Sequence, residues 1–78
     1  MKNSVYFNLV PTGAGVHRYE VISAQTYRTI ASYDIIDHSN DMGCMYVVQR
    51  TEDPAKALCC DTIVQAQEIA RADYMARV

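Results

Sequence analysis

The segment from Met45 to Val78 constrains the fold most, because its residues follow the order strand, turn, strand, helix. MYVVQR is rich in β-branched and aromatic residues, which favour strands. TEDPAK contains turn-forming residues around Pro54, and ALCC can form a short second strand. This segment therefore predicts a hairpin followed by a C-terminal helix.

The helix is predicted to begin at Thr62 and to run to Arg77, because neither Gly nor Pro interrupts this stretch. Thr62 and Gln65 have the spacing of a capping box, in which the hydroxyl and the amide satisfy free backbone N–H groups. Asp73 is expected to pair with Arg77 one turn later. One narrow apolar stripe is predicted to pack on the sheet, and it consists of Ile63, Ala66, Ala70 and Tyr74 with Ile69 at its flank.

The first half of the chain predicts three further strands, at Val5–Val10, Val16–Ser23 and Arg28–Ile36, since apolar and polar residues alternate there. Residues 24–36 also have helical spacing, so a helix is the competing interpretation of that segment. The β-branched residues favour the strand. We expect one α+β domain over residues 1–78. Its antiparallel sheet has four to five strands, two hairpins plus an N-terminal strand, with one C-terminal helix packed on one face.

Composition narrows the classes of function. The chain has 78 residues, half of them hydrophobic, and a formal net charge of −2. A protein that grips phosphate backbones usually has a basic excess, so nucleic acid is not the expected partner. The N-terminus lacks a signal-peptide pattern and no apolar run could span a membrane. The cysteines are odd in number and are expected to be reduced, and the predicted location is the cytoplasm.

The tyrosines indicate a contact surface. One helix covers only one face of a sheet, and Tyr combines apolar area with a hydroxyl that tolerates water. We therefore expect a tyrosine-bearing face opposite the helix, together with an acidic loop, to bind a protein partner or a second copy of the chain. The predicted partner-binding residues are Tyr19, Tyr27, Tyr33, Tyr46, Asp34, Asp37 and Asp41.

Catalysis and metal binding are not expected. Cys44, His38 and Asp41 lie near one another in the sequence, but their spacing matches no known catalytic motif. His17 is interpreted as an ordinary strand residue. The Cys and His residues have neither CxxC nor HxxxH spacing, so no metal or other cofactor is predicted. The TGAG segment is interpreted as a turn whose glycines adopt positive φ.

Single-stranded nucleic-acid binding is the alternative function. Arg18, Arg28 and Arg50 alternate along the strands with Tyr19, Tyr27 and Tyr46. Aromatic side chains stack on bases and arginines bind the backbone, so such a set could bind a single strand if it shared one face.

The succession MYVVQR, TEDPAK, ALCCDT and QAQEIA resembles the C-terminal strand-turn-strand-helix unit of many small accessory proteins of phages and mobile elements. These proteins include anti-CRISPR proteins and other inhibitors of host machinery. The resemblance covers about the last 34 residues and implies a compact, non-enzymatic protein that blocks a site on a larger host complex in the host cytoplasm. It assigns no functional residues.

Overall fold

The computed structural model describes residues 4–37 and 45–77. Within these two ranges five strands are followed by one helix: β1 (Val5–Pro11), β2 (Val16–Ser23), β3 (Thr29–Asp37), β4 (Tyr46–Arg50), β5 (Asp53–Cys60) and α1 (Ile63–Arg77). The strands form a single antiparallel sheet in the order β1-β2-β3-β4-β5, and α1 packs on one of its faces. The predicted α+β fold with a C-terminal helix is confirmed.

Every strand pairs with the next strand in the chain, so short turns are sufficient. The β1–β2 turn contains Gly13 at φ 86° and Gly15 at φ 75°, as its sequence predicts. The β2–β3 connection is closed by the Ser23 N–H, which donates to the Arg28 carbonyl at 2.9 Å. Residues 29–37 form a strand, so the helical interpretation of this segment is wrong.

The β4–β5 turn is tighter than expected. Arg50 pairs with Asp53, leaving only two residues between the strands, and Pro54 lies inside β5 rather than in the turn. A proline is tolerated there because β5 is an edge strand and need not donate a ladder hydrogen bond on its outer side.

The core lies between α1 and the helix side of the sheet. Tyr19, Val21, Tyr33, Ile35 and Val48 are buried on that side, and Ala66 and Ala70 of α1 are fully buried against them. Methyl side chains at these two positions let the helix backbone lie close to the sheet. The rest of the predicted stripe also contacts this core, through Ile63, Ile69 and Tyr74.

The helix begins with the predicted capping box, with one difference. The Thr62 hydroxyl accepts a hydrogen bond from the Gln65 N–H at 3.1 Å. The Gln65 amide oxygen accepts from the Asp61 N–H at 2.9 Å, one residue before the cap. Both interactions satisfy backbone donors that the helix itself leaves free. Within residues 4–37 and 45–77, no helix is both long enough and apolar enough to cross a bilayer.

Candidate functional site

The side of the sheet opposite α1 is not covered by the helix, and we call it the open face. Paired residues in an antiparallel sheet point to the same side, so the strand register defines the set. The open face consists of Tyr6, Asn8, Val10, Val16, Arg18, Glu20, Ile22, Ser32, Asp34, Ile36, Val47, Gln49 and Cys59. None of the described residues on this face is buried, whereas the residues at the centre of the helix side are buried.

Most polar and apolar residues occupy separate rows across the open face, although Val10 lies in the row of Arg18. Val16, Ile36 and Val47 are cross-strand neighbours and form an apolar row near one end. Tyr6 and Ile22 form a second apolar pair near the other end.

Arg18 and Asp34 lie directly opposite each other between these two regions. The Arg18 Nε lies 3.4 Å from the Asp34 Oδ1, which also accepts from the Thr51 hydroxyl at 3.2 Å. The surface therefore has apolar ends around a charged centre.

The structure changes the position of the tyrosines. Tyr19 and Tyr33 are 3% and 1% exposed and belong to the core beneath α1. Tyr46 is half-buried on the same side and contacts that core. The prediction that these tyrosines lie on the uncovered face is wrong, because the core of so small a domain uses their large apolar area.

The other predicted contact residues do not form one patch. Tyr27 lies in the β2–β3 connection, and Asp37 ends β3 at the opposite end of the sheet. Thr29 and Asp37 bound β3, and eight residue steps of about 3.3 Å separate them by about 26 Å. Asp34 lies at the centre of the open face, and Asp41 lies outside the described residues.

Tyr27 has an unusual backbone. Its φ is 58° and its side chain is 75% exposed. The left-handed region costs a residue with a Cβ about 1 kcal/mol, and so exposed a residue gains little from burial to offset that cost. Ala14 in the β1–β2 turn also has a positive φ, of 54°, so a positive φ alone does not mark a contact residue, and the contact between Tyr27 and a partner stays a prediction.

A cluster of charged residues and one tyrosine joins the C-terminal part of α1 to the sheet. Asp73 accepts two hydrogen bonds from Arg50, both at 2.9 Å, and one from the Tyr33 hydroxyl at 2.7 Å. Arg77 donates to the Tyr33 hydroxyl at 3.1 Å and to Glu52 at 3.1 Å. The predicted Asp73–Arg77 ion pair is present at 3.7 Å, but Arg50 is the closer partner. We call these five residues the Asp73 cluster.

Charges in the Asp73 cluster satisfy one another. Hydrogen bonds from Arg50 lower the pKa of Asp73 to about 2. Burial, together with the hydrogen bond to Asp73, raises the pKa of Tyr33 to about 12. At neutral pH the carboxylate is therefore ionised and the phenol is neutral. These interactions hold α1 against the sheet. With such pKa values, neither the Asp73 carboxylate nor the Tyr33 hydroxyl is suited to proton transfer near pH 7.

Two clefts follow the seam between α1 and β5, on either side of Ile69. One has a volume of about 500 Å³ and extends from Cys59 to Ala72. The other, of about 280 Å³, lies between Lys56 and Asp73. Leu58 lines the smaller cleft and is 56% exposed. The seam between α1 and β5 is a secondary candidate surface, after the open face.

The cysteines differ from the expectation of reduced thiols. Cys59 is disulfide-bonded, so that expectation is wrong there, whereas Cys60 is free. Burial and the neighbouring Asp61 carboxylate raise the pKa of the Cys60 thiol. A protonated thiol is a weak nucleophile, so Cys60 is not activated for catalysis.

The structure describes only some of the residues considered for metal binding and catalysis. Within the described part of the chain, no group of three or more His, Cys, Asp or Glu residues could hold a metal ion. His17 lies on the helix side of β2, and its buried Nδ1 has no hydrogen-bond partner among the described residues. Cys44, His38 and Asp41 lie outside the described residues.

The three arginines of the alternative function do not share a face. Arg18 lies on the open face, while Arg50 lies on the helix side and is held by Asp73. Arg28 precedes β3, beside the turn. Of the tyrosines that would stack on bases, Tyr19 is buried. This arrangement does not favour binding of a single nucleic-acid strand.

The sequence predicts Arg77 as the partner of Asp73 and does not identify Arg50, which is the closer one. A carboxylate on the sheet-facing side of a helix needs a cation on the sheet as its partner. That need could have indicated from the sequence that a strand residue pairs with Asp73. Arg50 alternates with the core residue Val48, and this places it on the helix side.

Comparison with protein-family models, curated proteins and solved structures finds no match to this chain.

Proposed function

We propose that this protein is a non-enzymatic binding protein that contacts a larger protein complex through the open face and thereby inhibits or modulates it. The observation that carries the proposal is the composition of the open face, where an apolar row and an apolar pair flank Arg18 and Asp34 and none of the residues of this face is buried. Contiguous apolar side chains on an uncovered surface often mark a site that binds proteins.

A protein is favoured over nucleic acid because the face lacks a basic excess. Arg18 on this face is paired with Asp34, and Glu20 is its neighbour in the next row. A partner surface would have to cover the row of Val16, Ile36 and Val47 and offer hydrogen-bonding groups to the central pair. Inhibition of a host complex is the role implied by the resemblance to small phage accessory proteins.

The test compares variants of the open face with a matched helix variant. Ile36→Lys and Val47→Lys place a charge in the apolar row, while Val64→Lys places the same charge on an exposed apolar position of α1. We expect a partner captured by the wild type and by Val64→Lys to be lost with Ile36→Lys and Val47→Lys. The purified partner should then have lower activity with the wild-type protein than with Ile36→Lys.

Capture that is equally strong with all four proteins would contradict the proposal, as would a purified partner whose activity is unchanged. The first complexes to assay are CRISPR effector complexes, because the resemblance includes anti-CRISPR proteins. Fluorescence anisotropy with labelled oligonucleotides tests the alternative, and salt-sensitive binding that is lost with Arg18→Ala would favour it.

A further inference from the structure

The two edges of the sheet differ in a way that indicates pairing at one of them. Edge strands expose unpaired backbone groups, and proteins commonly protect them with prolines and charged residues. β5 contains Asp53, Pro54 and Lys56. β1 reads VYFNLVP, with no charged residue and a proline only at its end. Judged by the described residues, the β1 edge is therefore the less protected of the two.

The outward backbone groups of β1 can be assigned from its hydrogen bonds. The Ser4 carbonyl accepts from the Ala24 N–H, and the Thr12 N–H donates to the Val16 carbonyl, both at 3.0 Å. Backbone groups alternate in direction along a strand, so even-numbered residues of β1 bond to β2. The N–H and C=O groups of Val5, Phe7 and Leu9 therefore point away from the sheet.

The same three residues have apolar side chains that the helix covers only in part. Val5, Phe7 and Leu9 pack against the margin of the core and remain half-buried. Phe7 stacks on Tyr19 with ring centroids 5.4 Å apart and meets the edge of Tyr74 at 6.1 Å. The helix itself lies mainly against β3, β4 and β5. One added strand would satisfy the backbone groups and cover these side chains together.

We infer that β1 is a dimerisation edge, at which two copies of the chain pair antiparallel with Phe7 at the two-fold axis. In that register Phe7 lies opposite Phe7 of the second copy, and Val5 lies opposite its Leu9. The spacing of aliphatic residues on either side of Phe7 makes the strand complementary to itself, and no like charges meet. The result is one sheet of ten strands.

A second copy fits better than an unrelated strand, because a self-complementary patch needs no other sequence to close the contact. The two-fold axis is perpendicular to the sheet, so both helices lie on one side and both open faces on the other. The paired segment is short, about 23 Å for seven residues of about 3.3 Å each. The interface is at the small end of stable dimers, so we expect dissociation on dilution.

The first experiment is sedimentation velocity of the full chain over a range of concentrations. We expect the mass to rise to twice the 8.8 kDa of the chain. Leu9→Pro should halve that mass while the circular dichroism spectrum is kept, because the lost N–H points away from β2. Leu9→Ala controls for the lost side chain and should still dimerise. Ile36→Lys on the open face should dimerise as the wild type does.

A cross-linking experiment tests the register even if Leu9→Pro fails to fold. In a Cys60→Ala background, Val5→Cys and Leu9→Cys chains are mixed and oxidised. Directly paired residues have Cα atoms about 5.5 Å apart, within reach of a disulfide. The mixture should form a covalent dimer, whereas either variant alone should not, because its thiols lie about 14 Å apart, four residues along the strands.

Three results would overturn the inference: a wild-type protein that stays monomeric at its highest soluble concentration, a dimer unaffected by Leu9→Pro, and no cross-link in the mixture. A dimer lost with Ile36→Lys but kept with Leu9→Pro would place the contact on the open face instead. Protection of β1 from hydrogen exchange only when a foreign protein is bound would identify that protein as the occupant.

Discussion

At the scale of single residues, Tyr27 has a strained backbone that burial of its side chain does not offset. Its positive φ and its 75% exposure mean that the residue strains the turn without contributing to the core. Glycine adopts this conformation without the clash of a Cβ. The identity of residue 27 is thus not explained by the needs of the turn.

Tyr27→Gly is expected to raise the free energy of unfolding by about 0.5–1 kcal/mol, because it removes the left-handed strain. Urea denaturation followed by circular dichroism measures the change. Thr26→Gly in the same turn is the control, since φ is not positive there, and it should lower stability by up to about 1 kcal/mol. Similar effects of the two substitutions would show that strain at residue 27 does not matter.

The Asp73 carboxylate couples stability to pH. Its pKa of about 2 in the folded protein lies below the ordinary 3.8, chiefly because Arg50 donates two hydrogen bonds. The folded state therefore binds this proton less readily than the unfolded state does. The resulting stabilisation is complete above about pH 4 and is lost as the pH falls towards 2.

Asp73→Asn is expected to lower the free energy of unfolding at pH 7 by about 1–2 kcal/mol, a value reduced for the partial exposure of the carboxylate. The variant should also lose less stability than the wild type between pH 4 and 2. Urea titrations at several pH values measure both effects. Glu68→Gln, on an exposed helix position, should stay within about 0.5 kcal/mol of the wild type. If Asp73→Asn loses as much stability between pH 4 and 2 as the wild type does, Asp73 is not the group that couples stability to pH.

At the scale of elements, the short helix depends on two alanines. Ala66 and Ala70 are fully buried where α1 crosses the sheet, and larger side chains there would force the helix away from Tyr33 and Val48. The helix would then also lose the geometry of its hydrogen bonds to the Asp73 cluster.

Ala70→Leu is expected to lower the free energy of unfolding by about 1–3 kcal/mol through overpacking. Ala72→Leu on the exposed side of the same helix adds the same atoms without this clash and should change stability by less than about 0.5 kcal/mol. Thermal or urea unfolding of the pair measures the difference. A similar loss at both positions would point to helix propensity rather than to packing.

Much of this architecture could be predicted from the sequence because its signals are local. The alternation in β1, the Thr62 cap and the alanine stripe each depend on residues close in the chain. Which side of the sheet the helix covers depends on contacts between residues that are far apart in the chain. Apolar residues such as Ile36 and Val47 occur on the open side as well, so hydrophobicity alone does not distinguish the sides.

One informative pattern concerns charge. Arg18, Glu20 and Asp34 all fall on the same side of the sheet, and they alternate with Tyr19 and Tyr33. Charged residues prefer water, so this alternation assigns the tyrosines to the core more reliably than their affinity for interfaces assigns them to a surface. The Arg50–Asp73 pair is 23 residues apart and depends on the tertiary packing of α1.

At the scale of the whole molecule, the inferred dimer would change how the open face works. Pairing at β1 keeps both open faces on one side of a continuous sheet and both helices on the other. Two partner sites would therefore face the same direction at a fixed separation. A partner displayed in several copies could be bound twice, and the second contact would form at a high effective concentration.

Leu9→Pro should then weaken binding to a densely immobilised partner, with dissociation at least about tenfold faster than for the wild type. Binding to the same partner free in solution should be equal, because each open face is intact. Surface plasmon resonance at high and low partner density, with Leu9→Ala as control, measures the difference. If dissociation of the wild type does not depend on partner density, each dimer binds through a single face. If Leu9→Pro also weakens binding in solution, β1 itself contributes to the partner contact.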